Sequence, residues 1–203
     1  LAGSSAILPE MRWILDGAEF ADSLVLNPHK WLLTNFDCSA YYVRDPDHLE
    51  RTLSIHPEYL KTGVDSEVRN YRDWGIPLGR RFRALKLWFV LRYYGLEGLQ
   101  KMIREHIGLA QIFKGWVEDH PDFELMAPVP LALVCFRLND GRAEEGLGRL
   151  NRELLSRLNA TGRLLLTQTV LKGKYVIRMS IGSRTTEERH VADAWRLIKK
   201  TAR

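Results

Sequence analysis

The sequence predicts a mixed α/β chain that ends in a small α+β domain, and three observations carry that prediction. Short apolar runs of strand length alternate with helical segments over the first 55 residues. Two helices with apolar residues at 3.6-residue spacing occupy the middle, and the last third reads strand, strand, helix, strand, strand, helix. With 203 residues and 45% of them hydrophobic, the chain has the apolar content to build a core, which excludes a disordered polypeptide.

Each element has a local reason. Ala2-Gly3-Ser4-Ser5 reads as a loop of small residues. Pro9 suits the first turn of a helix, and Met11, Ile14 and Leu15 give it an apolar stripe, so a helix is expected over 9–16 with Gly17 as its stop. Residues 22–26 read as a buried strand closed by Asn27-Pro28, because proline interrupts a ladder. A second strand over 38–43 precedes a helix opened by Asp45-Pro46 and running to about 53. Residues 56–77, with Pro57, Gly63, Gly75 and Pro77 and no sustained apolar period, read as a long functional loop. A helix over 80–94 follows, with Phe82, Leu85, Trp88 and Phe89 on one face and Gly95 as its cap, and a second over 97–118 repeats the pattern through Leu99, Ile103, Ile107 and Ala110. The pair is expected to link two parts of the molecule.

The remaining elements are strands over 123–127, 132–138, 164–169 and 174–181 and helices over 143–159 and 186–201. Asn139-Asp140-Gly141 and Lys172-Gly173 supply turns that tolerate positive φ, and Thr185 with Glu188 reads as a capping box for the last helix.

Several function classes drop out. Lys and Arg number 30 against 25 Asp and Glu, mixed along most of the chain, and no aromatic-basic motif accompanies the net charge of +5, so a nucleic-acid partner is not expected. Cys38 and Cys135 lie in apolar runs without a second ligand at metal spacing and read as reduced, buried thiols, with no metal. No stretch approaches the roughly 20 apolar residues that span a bilayer, and the start lacks a basic segment followed by an apolar core. A cytoplasmic protein without a membrane partner is expected. Leu1 is not a methionine, which suggests a fragment or a processed piece.

Chemistry concentrates at Asn27-Pro28-His29-Lys30-Trp31. A lysine leaving a buried strand among bulky apolar neighbours can be desolvated, which lowers its pKa and favours the neutral amine that attacks an aldehyde. The plainer reading is a solvated loop lysine, and the residues alone leave both open.

Residues 21–45, ADSLVLNPHKWLLTNFDCSAYYVRD, resemble the segment of group II pyridoxal 5'-phosphate (PLP) dependent decarboxylases, of the aromatic-L-amino-acid type, that holds the Schiff-base lysine. The resemblance continues in order through HPEYLK (56–61), NYRDWGIPLGRRFRALKLWFVLRYYGLEGLQ (70–100) and SRTTEERHVADAW (183–195), essentially the whole chain. It implies the carboxy-terminal part of a fold-type I, aspartate aminotransferase-like PLP-dependent transferase: the end of the large domain (1–79), linking helices (80–118) and a small α+β domain (119–203).

By the same resemblance Lys30 carries the cofactor, Asn27 and His29 help hold its phosphate, and Gly79 offers a backbone group to the phosphate of the neighbouring subunit. Arg80 and Arg81 add positive potential or act as structural ion-pair partners. Tyr59 matches the loop tyrosine that protonates the carbanionic carbon after CO2 departs; related aldehyde synthases commonly carry phenylalanine there. His29 favours an aromatic substrate over histidine. Leu78 borders the substrate ring across a dimer interface, and Phe36 lies near the cofactor. The implied activity is decarboxylation of an aromatic L-amino acid to its amine by a homodimer. Another decarboxylase or aldehyde synthase of the family, or an inactive partner-binding half, are the alternatives. The family's upstream half, with the aspartate that pairs with the pyridine nitrogen, is absent from the sequence and is an expected partner.

Overall fold

Residues 2–55, 57–61, 63–65 and 67–202 are described by the computed structural model, and the chain divides into two units, Leu1–Leu99 and Gln100–Arg203. No helix among the described residues is long and apolar enough to cross a membrane.

The first unit begins with three 3-10 helices, Ala2–Ile7, Pro9–Leu15 and Ala18–Phe20, where a loop and one helix are expected. Bonds three residues apart hold them, such as Met11 N–H to Leu8 O at 3.0 Å, and Gly17 at φ 86 ends the second. A Cβ on Gly3 would lie 2.2 Å from Leu26 Cδ2, so a larger residue there would make the Leu26 side chain shift.

Strand β1 (Ser23–Leu26) pairs antiparallel with β2 (Ala40–Val43), Ser23 opposite Val43 and Leu26 opposite Ala40. The expectation of a fully buried strand fails: Val25 is 52% exposed, because burial alternates along β1 and covers one face of the two-stranded ribbon. Between the strands lies the one-turn helix α1 (Pro28–Trp31). Helix α2 (Pro46–Leu53) is capped as the sequence suggests, with His48 N–H donating to Asp45 Oδ1 at 2.9 Å. That bond, foremost, holds the Asp45 carboxyl below its usual range.

Helix α3 (Arg83–Glu118) starts three residues later than expected and is broken at Gly95, whose φ of 65 permits the turn that ends its first segment. Within the first unit the predicted apolar stripe of this helix is solvent-facing, with Trp88 and Phe89 more than half exposed.

The second unit is an antiparallel sheet in the order β3 (Phe123–Leu125), β4 (Leu133–Leu138), β6 (Lys174–Ser180), β5 (Thr167–Leu171), with α4 (Glu144–Ala160) and α5 (Glu188–Ala202). Its core is aromatic: the Phe113 ring meets Phe136 at 5.3 Å and Trp195 at 5.5 Å, both edge to face. Lys172 (φ 49) and Gly173 (φ 80) form the expected tight turn between β5 and β6.

Two local readings shift. Strand β5 starts at Thr167 rather than 164, because the Asn159 amide exchanges two hydrogen bonds of 2.9 Å with the backbone of Leu166 and ties that residue to the end of α4. The capping box at Thr185 and Glu188 does not form. Helix α5 begins at Glu188, and His190 Nδ1 accepts the Glu187 N–H at 3.0 Å, doing for the preceding residue what a capping glutamate would do.

Asn151, fully buried on α4, pins the sheet to the helix: its Oδ1 accepts Leu138 N–H and its Nδ2 donates to Leu138 O, each at 2.8 Å. Asn151→Leu should therefore destabilise the second unit by about 2–4 kcal/mol, since two buried backbone groups lose their partners. A lower urea midpoint for that unit checks this.

His106 is 2% exposed and its Nε2 lies 3.1 Å from Ser183 O. Burial, opposed by that carbonyl and by Glu105, sets its pKa below the ordinary 6.5, so on acidification the unfolded chain takes up the proton first. The stability secured by the neutral ring is complete above about pH 6.5 and is lost as pH falls toward the depressed value. Urea midpoints compared at neutral and mildly acidic pH should show a loss that His106→Gln reduces.

Candidate functional site

The segment from Asn27 to Ser39 folds back on itself. Pro28 and Trp31 face inward and are buried, Trp31 at 2% exposure, so the single turn of α1 is anchored by its two apolar members. Lys30, between them in sequence, faces outward and is exposed. Of the two readings left open for Lys30, the solvent-facing one is what this chain shows: a one-turn helix that buries positions 28 and 31 presents position 30 to the opposite side.

Three contacts tie the turn to the entry of β2. His29 N–H donates to Cys38 O at 3.2 Å, and the ring Nδ1 lies 2.6 Å from Cys38 O and 3.1 Å from Cys38 N, so in either tautomer the Cys38 backbone engages that nitrogen. Ser39 Oγ donates to Asn27 Oδ1 at 2.7 Å. The His29 ring also meets Phe36 edge-on at 5.0 Å. Leu33, at φ 56, reverses the chain after α1 in a conformation that costs a non-glycine residue about 1–2 kcal/mol.

Arg83 Nε donates to Asp37 Oδ2 at 3.0 Å, and Arg81 stands 3.9 Å from the same carboxylate. Partial desolvation raises the Asp37 pKa, but hydrogen bonds from its own backbone and from Arg83, with the charges of Arg83 and Lys86, bring it below the usual range. Arg81 thus takes the structural ion-pair role weighed for it.

Tyr59 sits in a 3-10 helix, Glu58–Leu60, and is 79% exposed. It lines a depression of about 170 Å³ together with Leu53, Ile55, Leu60, Ile76 and Leu78. Two of the expected site residues, Tyr59 and Leu78, therefore share one concavity. Asn27, His29 and Lys30 do not line it, and His56, the first residue of the Tyr59 motif, lies outside the described residues. The loop is pinned nearby by Arg72 Nη2 donating to Leu60 O at 3.1 Å and by Trp74 Nε1 donating to Glu50 Oε1 at 2.7 Å. A larger depression of about 620 Å³, bordered by Tyr41, Arg44, His48 and Thr52, contains none of the expected residues.

Gly79 is exposed, and a Cβ placed on it meets nothing within 4 Å. No contact inside this chain demands a glycine there. Among the described residues no group of three or more His, Cys, Asp or Glu could hold a metal ion. The Asn27–Ser39 fold offers an outward amine beside neutral polar groups, chemistry suited to an aldehyde that carries an anionic ester.

Residues 1–139 match the model of the pyridoxal-dependent decarboxylase conserved domain. The chain belongs to the pyridoxal-dependent decarboxylase family. It is 50% identical over 204 residues to phenylacetaldehyde synthase of Arabidopsis thaliana, a match covering 99% of this chain and 42% of that protein. It is 48% identical to a tryptophan decarboxylase of Camptotheca acuminata, covering 99% of this chain and 41% of that one. The structure of Oryza sativa TDC with PLP and tryptamine superposes with a TM-score of 0.94 at 45% identity, over 100% of this chain and 43% of that one. The chain spans about two fifths of the length of the relatives it matches. This solved relative also bears out the fold-type I expectation.

Ser39 is the site neighbour that sequence reasoning passes over. A serine opening a strand carries no spacing signal, and its partner Asn27 lies 12 positions away. Cys38 and Cys135 are both buried and unbonded to each other, and burial, the first cause, raises the Cys135 thiol pKa. A thiol-reactive disulfide reagent should find no fast-reacting cysteine in the native decarboxylase chain and both after denaturation.

Proposed function

We propose that this chain is the carboxy-terminal portion of a cytoplasmic, homodimeric, PLP-dependent enzyme that decarboxylates an aromatic L-amino acid to its amine, in company with an amino-terminal half. The observation that carries the proposal is the family match over residues 1–139, a span that includes Asn27, His29, Lys30, Tyr59, Leu78 and Gly79. The fit of the chain's own groups supports it: Lys30 is exposed, Asn27 and His29 precede it at the same turn, and Gly79 is open to close approach.

Bound PLP supplies the electron sink for the pair left behind when CO2 departs. Lys30 would hold the cofactor aldehyde through its amine. Asn27 and His29 hold the phosphate, and the Gly79 backbone approaches the phosphate of the neighbouring subunit. Leu78 borders the aromatic ring of the substrate. Tyr59 would donate a proton to Cα, and it shares with Leu78 a depression that Arg72 and Asp73 also line.

A second reading, an aldehyde synthase, is favoured by the 50% identity to phenylacetaldehyde synthase. Tyr59 argues for the amine, and product analysis separates the two.

Incubation with PLP followed by borohydride reduction should fix the cofactor on one peptide, the one containing Lys30, and Lys30→Ala should abolish that labelling. Scattered labelling of many lysines would overturn the assignment. With an aromatic L-amino acid, Tyr59→Phe should lower amine formation about 10²-fold or more while leaving the Lys30 label intact.

A further inference from the structure

We propose that Ser39 is a positioning residue for the cofactor phosphate, acting through Asn27; this rests on the reading of Asn27 as a phosphate-holding group. The Ser39 hydroxyl donates to Asn27 Oδ1 at 2.7 Å. A carboxamide has one acceptor end and one donor end, and only the donor end can serve an anion. By occupying the oxygen, Ser39 sets the orientation of the amide and leaves the Nδ2 hydrogens as the end offered outward. Without that bond the amide is free to turn its oxygen toward the phosphate, an arrangement that repels rather than attracts.

Among the described residues Asn27 shows no other side-chain hydrogen bond. It precedes α1 and shows no side-chain bond to the helix it introduces, so its amide is not engaged as a cap. Its backbone carbonyl, by contrast, is held, accepting Lys30 N–H at 2.9 Å. The chain therefore fixes the backbone of Asn27 through α1 and the side chain through β2. His29 is treated in parallel, its Nδ1 engaged by the Cys38 backbone, 2.6 Å from the carbonyl oxygen and 3.1 Å from the nitrogen. Consecutive residues of β2's approach thus orient the two groups read as phosphate holders, Cys38 by its backbone and Ser39 by its hydroxyl.

The test compares binding of PLP with binding of pyridoxal, which has the same aldehyde and ring but no phosphate, to the purified protein and to Ser39→Ala and Ser39→Thr. Cofactor absorbance and phosphorus NMR of bound PLP serve as readouts that do not depend on turnover. Ser39→Ala should weaken PLP binding roughly fivefold, the value of one hydrogen bond, and leave pyridoxal binding unchanged. Ser39→Thr, which keeps the hydroxyl, should restore the preference for PLP. An equal loss for both ligands would mean general disruption of the turn and would overturn the proposal, as would an unchanged preference in Ser39→Ala. If the unsubstituted protein itself shows no preference for PLP over pyridoxal, the phosphate reading of Asn27 falls and takes this inference with it.

Discussion

Burial of Pro28 and Trp31 on a single helical turn sets the direction in which Lys30 leaves the fold. A helix of four residues has little stability of its own, since nucleation costs more than one turn of hydrogen bonds returns. It persists because its apolar members are inserted and because the backbone of Cys38 bonds both the amide and the ring of His29. Leu33 completes the reversal at a positive φ, a local cost that the buried anchors on either side offset. The exposed lysine, the oriented asparagine and the clamped histidine all follow from that arrangement.

The two units are stabilised differently. In the second, four strands and the helices around them enclose fully buried side chains such as Phe113, Phe136, Leu158 and Ile198, and its buried polar groups are satisfied. Arg137, 2% exposed, is met by Glu124 and by Glu144 at 2.6 Å, which avoids leaving a charge unpaired in the core. The first unit has a two-stranded ribbon, short helices and a long polar-anchored segment, with large side chains such as Phe82 and Trp88 left facing solvent. The residues read as catalytic lie in that less enclosed unit, where Lys30, Tyr59 and Leu78 are exposed.

Much of the element pattern was legible because it rests on local chemistry. Asp45 caps α2, Gly95 breaks α3, and Lys172-Gly173 turns β5 into β6, each by a preference that belongs to the residue itself. The misreadings have a common cause. Thr185 and Glu188 have the spacing of a capping box, yet His190 supplies the reciprocal contact two residues on, and Asn159 moves the start of β5 by holding Leu166. In both cases a side chain that the local pattern does not single out bonds a backbone group at the boundary of the element.

The sequence alone determined the family and the mixed α/β class, because these depend on residue identity and order along the chain. Only the tertiary structure decided that Lys30 is exposed, that Tyr59 and Leu78 share a depression, and that Ser39 reaches Asn27. Exposure and side-chain partnership depend on which surfaces meet after the chain turns back on itself, and residues 12 or 19 positions apart carry no local signal of that meeting.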